Sequence, residues 1–159
     1  MSAEPAREFV DANVLVYAFD VSAGRKKAAA EGLLANLWET GTGCLSVQVL
    51  QEFFVTVTGK VTPPMPVEDA ADRIRELATW RVFAPTADDV LGAIALHKQA
   101  RLSFWDAMVV RAAAETGCSI LWTEDLNDGQ LLQGVRVRNP FAEPASADRP
   151  ERAAGKKTR

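Results

Sequence analysis

The chain has 159 residues, 48% of them hydrophobic, which suits one domain with a substantial core and is too short for two ordinary domains. Its formal net charge of −3 argues against coating nucleic acid by bulk electrostatics, although a local basic patch could still contact phosphates. The single histidine, His97, excludes a two-histidine acid–base ribonuclease and a histidine-rich zinc site.

The first five residues lack the charged and apolar regions of a signal peptide. No stretch approaches the roughly 18 consecutive apolar residues that cross a bilayer, so we expect a cytoplasmic protein with no membrane partner. Cys44 and Cys118 each stand at the start of a predicted buried strand, which favours reduced core thiols over a disulfide.

The first predicted strand consists of Phe9, Val10 and Asp11. An acid that ends a buried strand of an α/β protein points into the crevice beyond the strand's carboxyl end, where such folds place their sites. Asp11 is therefore a candidate functional residue. The alternative is that Asp11 only begins a turn or caps the short helix that follows, since Asp and Asn are common there.

A longer helix is predicted from a cap at Ser22 to a stop at Gly41. Its first turn carries Arg25, Lys26 and Lys27, where positive charge opposes the helix dipole. This basic cluster is either a solvated face or a contact for an anionic partner.

After the short strand 44–46, residues 47–58 are predicted to form a core helix that is apolar on nearly all sides. Its polar residues Gln48, Glu52 and Thr56 stand four apart and form a thin stripe. Glu52 is therefore predicted to face an internal polar pocket, and plain solvent exposure is the alternative.

Asp106 lies near the start of a later helix, three residues after Ser103. This is the spacing of a capping box, so Asp106 either bonds back to the start of its own helix or is available to a site. Asp125 lies just past the predicted buried strand 118–122, in the position that Asp11 occupies after the first strand.

The order of strands and helices predicts an α/β fold, a three-layer α/β/α sandwich around a central, mostly parallel sheet of four to five strands. The predicted domain covers residues 7–141, between an N-terminal segment 1–6 and a tail 142–159. Because the tail is rich in proline, alanine and charge, we expect it to be disordered.

Four carboxylates are predicted to converge on one crevice of this fold: Asp11, Glu52, Asp106 and Asp125. Clustered acids repel one another, and a cation is the natural compensation. Mg²⁺ and Mn²⁺ take oxygen ligands and are usually held by a few carboxylates together with substrate phosphates.

Four segments resemble the motifs of PIN-domain nucleases, and among these of the VapC-type toxins of bacterial toxin–antitoxin pairs. The segments are Asp11–Tyr17, Leu50–Phe53, Phe104–Val110 and Trp122–Leu126, in that order within residues 7–141. Each segment alone is a weak signal, whereas four at compatible spacing on the predicted elements form a specific one.

The resemblance implies a metal-dependent endoribonuclease, a hydrolase that cuts RNA phosphodiester bonds with a metal-activated water. It implies that one or two Mg²⁺ or Mn²⁺ ions are held by the four acids, Asp11, Glu52, Asp106 and Asp125. It also implies that Asn13 and Thr123 orient these ligands. The family pattern varies after the last motif threonine, so Glu124 and Asp128 stay open as alternatives to Asp125.

The resemblance further implies a homodimer and a small cognate antitoxin protein that blocks the site. Candidates for contact with the RNA backbone are the basic residues Arg25, Lys26, Lys27, Lys60, Lys98, Arg101 and Arg111.

Two other functions compete with this reading. A non-catalytic PIN-like module that binds RNA or protein would use the acids only as helix caps, and the presence of all four carboxylates argues against it. An aspartate-based phosphatase or a receiver domain fits the first strand. However, Asp11-Ala12-Asn13 lacks the second aspartate of a phosphatase, and no acidic pair precedes the strand as in a receiver.

Overall fold

The computed structural model describes residues 5–142, which form six strands and six helices. The expectations for the ends of the chain fall mainly on residues 1–4 and 143–159, outside the described residues. The elements in chain order are β1 (Arg7–Val10), α1 (Ala12–Ala18), α2 (Arg25–Thr40), β2 (Gly43–Ser46), α3 (Val47–Gly59), α4 (Val67–Leu77), β3 (Arg81–Phe83), α5 (Ala87–Ala100), α6 (Phe104–Glu115), β4 (Cys118–Trp122), β5 (Leu131–Leu132) and β6 (Val135–Arg138).

The six strands form one sheet in the order β3-β2-β1-β4-β6-β5. Every neighbouring pair is parallel except β5 and β6, which are antiparallel. The predicted α/β class with a mostly parallel sheet is confirmed, with six strands instead of four or five. The additional strand is β5, which has two residues and therefore no hydrophobic alternation by which a sequence pattern could reveal it.

The helices form two groups. In the first group, α1 contacts both α2 and α3, and α3 also contacts α4. The second group consists of α5 and α6, which contact each other. From β1 the chain builds β2 and β3 on one side and then returns to place β4 on the other side of β1. The topological switch point therefore lies between β1 and β4. In open α/β sheets, ligands bind in the crevice beyond the carboxyl ends of the strands at such a point.

Apolar side chains position the elements around this point. Phe9 and Val10 of β1 are fully buried, as are Val49 and Phe53 of α3 at the four-residue spacing of one helix face. The opposite face of α3 is less buried than the sequence predicts, since Val55 is 56% exposed. That helix is therefore amphipathic rather than apolar on all sides.

Helix α2 begins two residues later than expected, after Gly24, and receives no side-chain cap. The Ser22 hydroxyl donates to Asp20 instead of capping α2. Gly41 ends the helix in the left-handed conformation, which glycine adopts without a steric penalty.

Cys44 and Cys118 are free and buried, in agreement with the prediction of core thiols. No helix within residues 5–142 is both long enough and apolar enough to cross a bilayer.

Candidate active site

Asp11 follows β1 directly and is 5% exposed. Its Oδ1 accepts a hydrogen bond from the Ala12 N–H at 2.7 Å and so caps α1, as the alternative reading proposed. Its Oδ2 accepts from the Thr123 hydroxyl at 2.9 Å, across the switch point. The capping bond thus occupies one oxygen and leaves the other directed at the crevice between β1 and β4.

Burial raises the pKa of Asp11 to about 7. The hydrogen bonds from Thr123 and Ala12 oppose this shift, while the charges of Glu52 and Asp125 add to it. Desolvation therefore outweighs the hydrogen bonds, and the carboxylate lies in surroundings that do not compensate its charge.

Asn13 and Thr123 join the two strand ends. The Asn13 amide Nδ2 donates to Thr123 Oγ1 at 3.1 Å and to Asp125 Oδ2 at 2.9 Å. The Thr123 hydroxyl also accepts the Asp125 N–H at 3.1 Å. These bonds fix the direction of Asp125, although that side chain is exposed.

Asp11, Asp106 and Asp125 come together, with one carboxylate oxygen of each within 4.8 Å of the others. Asp106 arrives from the first turn of α6, on the other helix group. Its pKa is raised by burial and by the charge of Asp125, while the Ser103 hydroxyl lowers it. Residues from three separate places, the junction of β1 and α1, the first turn of α6 and the loop after β4, therefore contribute to one acidic cluster.

The alternative role of Asp106 as a helix cap can be examined by comparing the start of α6 with the start of α5. At α5 the Thr86 N–H donates to the Asp89 carboxylate at 2.8 Å, which is the return bond of a capping box. At α6 the Ser103 hydroxyl accepts the Asp106 N–H at 3.0 Å, but the described contacts include no return bond from the Ser103 N–H to Asp106. One oxygen of the Asp106 carboxylate lies within 4.8 Å of oxygens of Asp11 and Asp125, so its helix-start position does not remove it from the cluster.

Glu52 is half-buried and lies on the wall of a cleft of about 480 Å³ that Asp11 and Asp125 also line. The predicted polar pocket next to Glu52 is thus present. Its Oε2 accepts from the Gln48 amide at 3.1 Å. Glu52 is not part of the three-carboxylate group, but its charge reaches Asp11 through the cleft.

Glu124 and Asp128, the alternatives to Asp125, have other partners. Glu124 accepts from the Tyr17 hydroxyl at 2.6 Å and from Lys26 Nζ at 2.9 Å. Burial alone would raise the pKa of Glu124, but these two bonds lower it overall. Asp128 accepts the Asn139 N–H at 2.8 Å. Asp125 is the one of these three acids that faces the cluster.

Tyr17, which bonds to Glu124 beside the site, was not predicted as a site residue, because it stands within an apolar run. It lies four residues after Asn13, so both side chains project from one face of α1. That spacing is the signal by which the sequence could have indicated its position beside the crevice.

The basic residues predicted to contact RNA differ in their positions and in their partners. Lys26 pairs with Glu124, Lys27 with Glu31, and Arg111 with Asp89 at the contact between α5 and α6. Lys60 lines the cleft together with Glu52. Lys26, Lys27 and Arg111 therefore have structural partners already, whereas Lys60 faces the space beside the acids.

The donor set suits a hard divalent cation. Within residues 5–142, none of the three clustered carboxylates forms an ion pair with a lysine or arginine. The ligand atoms are all oxygens, which Mg²⁺ and Mn²⁺ prefer. Burial is the main cause of the raised pKa values of Asp11 and Asp106, and neighbouring carboxylates add to both shifts, so a bound cation would favour the ionised forms.

The sequence model of the PIN domain matches residues 9–127, which is most of the chain. The chain belongs to the PIN domain family. This match includes all four predicted acids and the Asn13 and Thr123 side chains that link Asp11 to Asp125. No curated protein sequence matches the chain.

Solved structures show the same PIN fold at low sequence identity. A toxin–antitoxin complex from Klebsiella pneumoniae matches with a TM-score of 0.63 and 19% identity over 84% of this chain and 98% of that chain. VapC20 of Mycobacterium tuberculosis, a sarcin-ricin loop cleaving toxin, has a TM-score of 0.53 and 19% identity over 72% and 86%. VapBC2 of Rickettsia felis, bound to a DNA fragment from its promoter, has a TM-score of 0.57 and 16% identity over 83% and 97%.

Proposed function

We propose that this protein is a divalent-metal-dependent endoribonuclease of the PIN domain family and the toxin of a toxin–antitoxin pair. The observation that carries the proposal is the cluster of Asp11, Asp106 and Asp125 at the switch point of the sheet. The cluster lies on a PIN domain, and its three carboxylates have no basic partner among the described residues.

Asp11, Asp106 and Asp125 would hold Mg²⁺ or Mn²⁺. Glu52 would add its negative charge from the wall of the cleft. Such an ion lowers the pKa of a bound water and offsets the charge that develops on a phosphodiester under attack. Thr123 and Asn13 keep the Asp11 and Asp125 carboxylates in position, which preserves the arrangement of ligands through the reaction. The Asp11 carboxylate, ionised, has both its oxygens oriented by hydrogen bonds.

The toxin role and the partners rest on the likeness to solved structures. One structural neighbour is a sarcin-ricin loop cleaving toxin, and another is a toxin–antitoxin complex. An RNA substrate, a cognate antitoxin and a homodimer are therefore parts of the proposal. The catalytic unit would be residues 7–141.

The test uses the purified full chain, free of antitoxin, with a mixed RNA pool. We expect endonucleolytic cleavage with Mn²⁺ or Mg²⁺ and none with EDTA, with fragment ends read by sequencing. Asp106→Asn should abolish cleavage. Asp128→Asn is a matched control, since it removes an acidic charge outside the cluster and should leave most of the activity. Undiminished cleavage in excess EDTA, or in the Asp106 variant, would refute the proposal.

A further inference from the structure

The cleft that contains the acids extends along α3 away from the cluster. Glu52, Thr56 and Lys60 are spaced four residues apart on or at the end of this helix, and all three line the cleft. Residues at this spacing lie on one helix face, so the stripe predicted from Gln48, Glu52 and Thr56 continues to Lys60. At 1.5 Å per residue, Lys60 lies about 12 Å along the helix axis from Glu52.

Among the described residues that line this cleft, Lys60 is the only lysine or arginine. The other charged side chains of the lining are acids. Lys60 forms no ion pair with any residue between 5 and 142. Asp20, another acid that lines the cleft, accepts hydrogen bonds from the N–H and hydroxyl of Ser22 through its Oδ1. The Lys60 ammonium is therefore available to a ligand in the cleft.

A positive charge at the Lys60 end of the cleft would favour the binding of an anionic ligand. A polyanion that enters meets Asp11, Glu52 and Asp125, and it also meets the C-terminus of α3, where the helix dipole is negative. Lys60 is the C-cap of α3, so its ammonium offsets the dipole at the point where a phosphate would approach. The Thr56 hydroxyl, one turn earlier, adds a neutral donor beside it.

We infer that Lys60 and Thr56 form a phosphate subsite that binds the RNA backbone a short distance from the bond that is cut. This inference rests on the proposed function and deepens it, because it assigns a direction to the bound strand. The scissile phosphate lies at the acidic cluster, and the adjoining backbone runs between α1 and α3 towards Lys60. Backbone contacts of this kind set the register of the strand without reading its bases.

The experiment measures binding and cleavage separately in the full chain. Fluorescence anisotropy with a labelled single-stranded RNA in EDTA gives Kd at several salt concentrations. We expect Lys60→Gln to raise Kd about three- to tenfold and to make the log–log salt slope shallower by about 0.7, the value for one phosphate contact on a single strand. Lys60→Arg should restore binding, and Thr56→Val should give a smaller loss that does not change the salt slope.

Steady-state cleavage with Mn²⁺ gives a second readout. Lys60→Gln should raise KM and change kcat by less than about twofold, because the lost contact is the same in the ground state and the transition state. Arg75→Gln is the matched control, since it removes one exposed positive charge from α4, outside the cleft. It should leave the Kd and the salt slope unchanged.

The outcomes separate the subsite from the proposed nuclease function. If the wild type cuts RNA but Lys60→Gln has the Kd and salt slope of Arg75→Gln, the subsite is wrong and the nuclease proposal stands. If the wild type binds RNA through Lys60 but cuts none with Mn²⁺, the nuclease proposal fails and the subsite stands. Loss of binding to a protein partner by Lys60→Gln, with RNA binding unchanged, would assign Lys60 to that partner and overturn the inference.

Discussion

The hydroxyl of Thr123 lies 2.9 Å from Oδ2 of Asp11, and this contact joins two residues that are 112 positions apart in the chain. The hydroxyl donates to Asp11 and accepts from the Asn13 amide and the Asp125 N–H. One donor and two acceptor positions are the full capacity of a hydroxyl group. Thr123 is also completely buried, so no water substitutes for it.

Replacing Thr123 by valine keeps the shape of the side chain and removes the hydroxyl. The Asn13 amide and the Asp125 N–H would each lose an acceptor, and Asp11 would lose a donor. Asp11 is buried, and the loss of a hydrogen-bond partner by a buried polar group costs about 1–3 kcal/mol. We expect Thr123→Val to lower the free energy of unfolding by that amount and to weaken Mn²⁺ binding, measured by denaturant unfolding and by titration of the metal.

Thr123→Ser is the control, because it retains the hydroxyl and loses only a methyl group. It should keep metal binding and cleavage close to those of the wild type. Equal loss of metal affinity in the serine and valine variants would show that the methyl group, not the hydrogen bonds, matters at this position.

Asp125, Glu124 and Asp128 lie close together in sequence but have different partners. We expect Asp125→Asn to reduce Mn²⁺ affinity and cleavage far more than Glu124→Gln or Asp128→Asn. Only Asp125 is within the carboxylate cluster, whereas Glu124 is held by Lys26 and Asp128 by a backbone N–H. Cleavage rates and metal titrations of the three purified variants decide this. The assignment is wrong if Asp128→Asn is the most damaging.

The sequence predicted the elements of this fold because each depends on local patterns. Buried runs such as Phe9–Val10 and the four-residue spacing of Val49 and Phe53 are visible in a short window. Elements without such a pattern were missed or misplaced. The two-residue strand β5 is one case, and the uncapped start of α2 after Gly24 is the other.

The candidate site was predictable only in part, for a related reason. Position at a strand end indicated Asp11 and Asp125, and the structure places both of them beside Asp106. No local pattern indicates that Glu124 is held by Tyr17 and Lys26, since those residues are about 100 positions away. Which of several adjacent acids faces a crevice depends on such long-range partners.

The raised pKa of Asp11 predicts how the metal-free protein responds to pH. The pKa is about 7 in the folded state and 3.8 when unperturbed, so the folded state binds more protons between these values. Stability from this group is therefore fully present below about pH 4 and is lost as pH rises through 7. In EDTA we expect the melting temperature to fall between pH 5 and pH 8.

Asp11→Asn isolates this effect, because the amide cannot ionise. The free energy of unfolding of the wild type, minus that of the variant, should decrease across the same pH range. One pKa unit corresponds to about 1.4 kcal/mol, so the expected change is on the order of a few kcal/mol. Thermal and denaturant unfolding in EDTA at four pH values provide the measurement. A wild-type minus variant difference that is flat from pH 5 to pH 8 would show that Asp11 ionises normally.

The last prediction concerns Asp106, whose charge has opposite effects with and without metal. Without metal, its carboxylate lies near Asp11 and Asp125, and burial and the charge of Asp125 raise its pKa, so the charged form is disfavoured. Asp106→Asn should therefore stabilise the protein in EDTA at pH 8, by up to about 1 kcal/mol. With Mn²⁺ the order should reverse, because the variant lacks a ligand and gains less from binding.

Thermal melts of wild type and Asp106→Asn in EDTA and over a Mn²⁺ titration measure both effects. Asp89→Asn is the matched control, since Asp89 is also a first-turn acid but bonds to the start of its own helix and to Arg111. Those bonds lower the pKa of Asp89, so its substitution should destabilise the protein equally with and without metal. If Asp106→Asn behaves like Asp89→Asn, melting lower in EDTA and gaining the wild-type increment from Mn²⁺, then Asp106 is a helix cap and not a metal ligand.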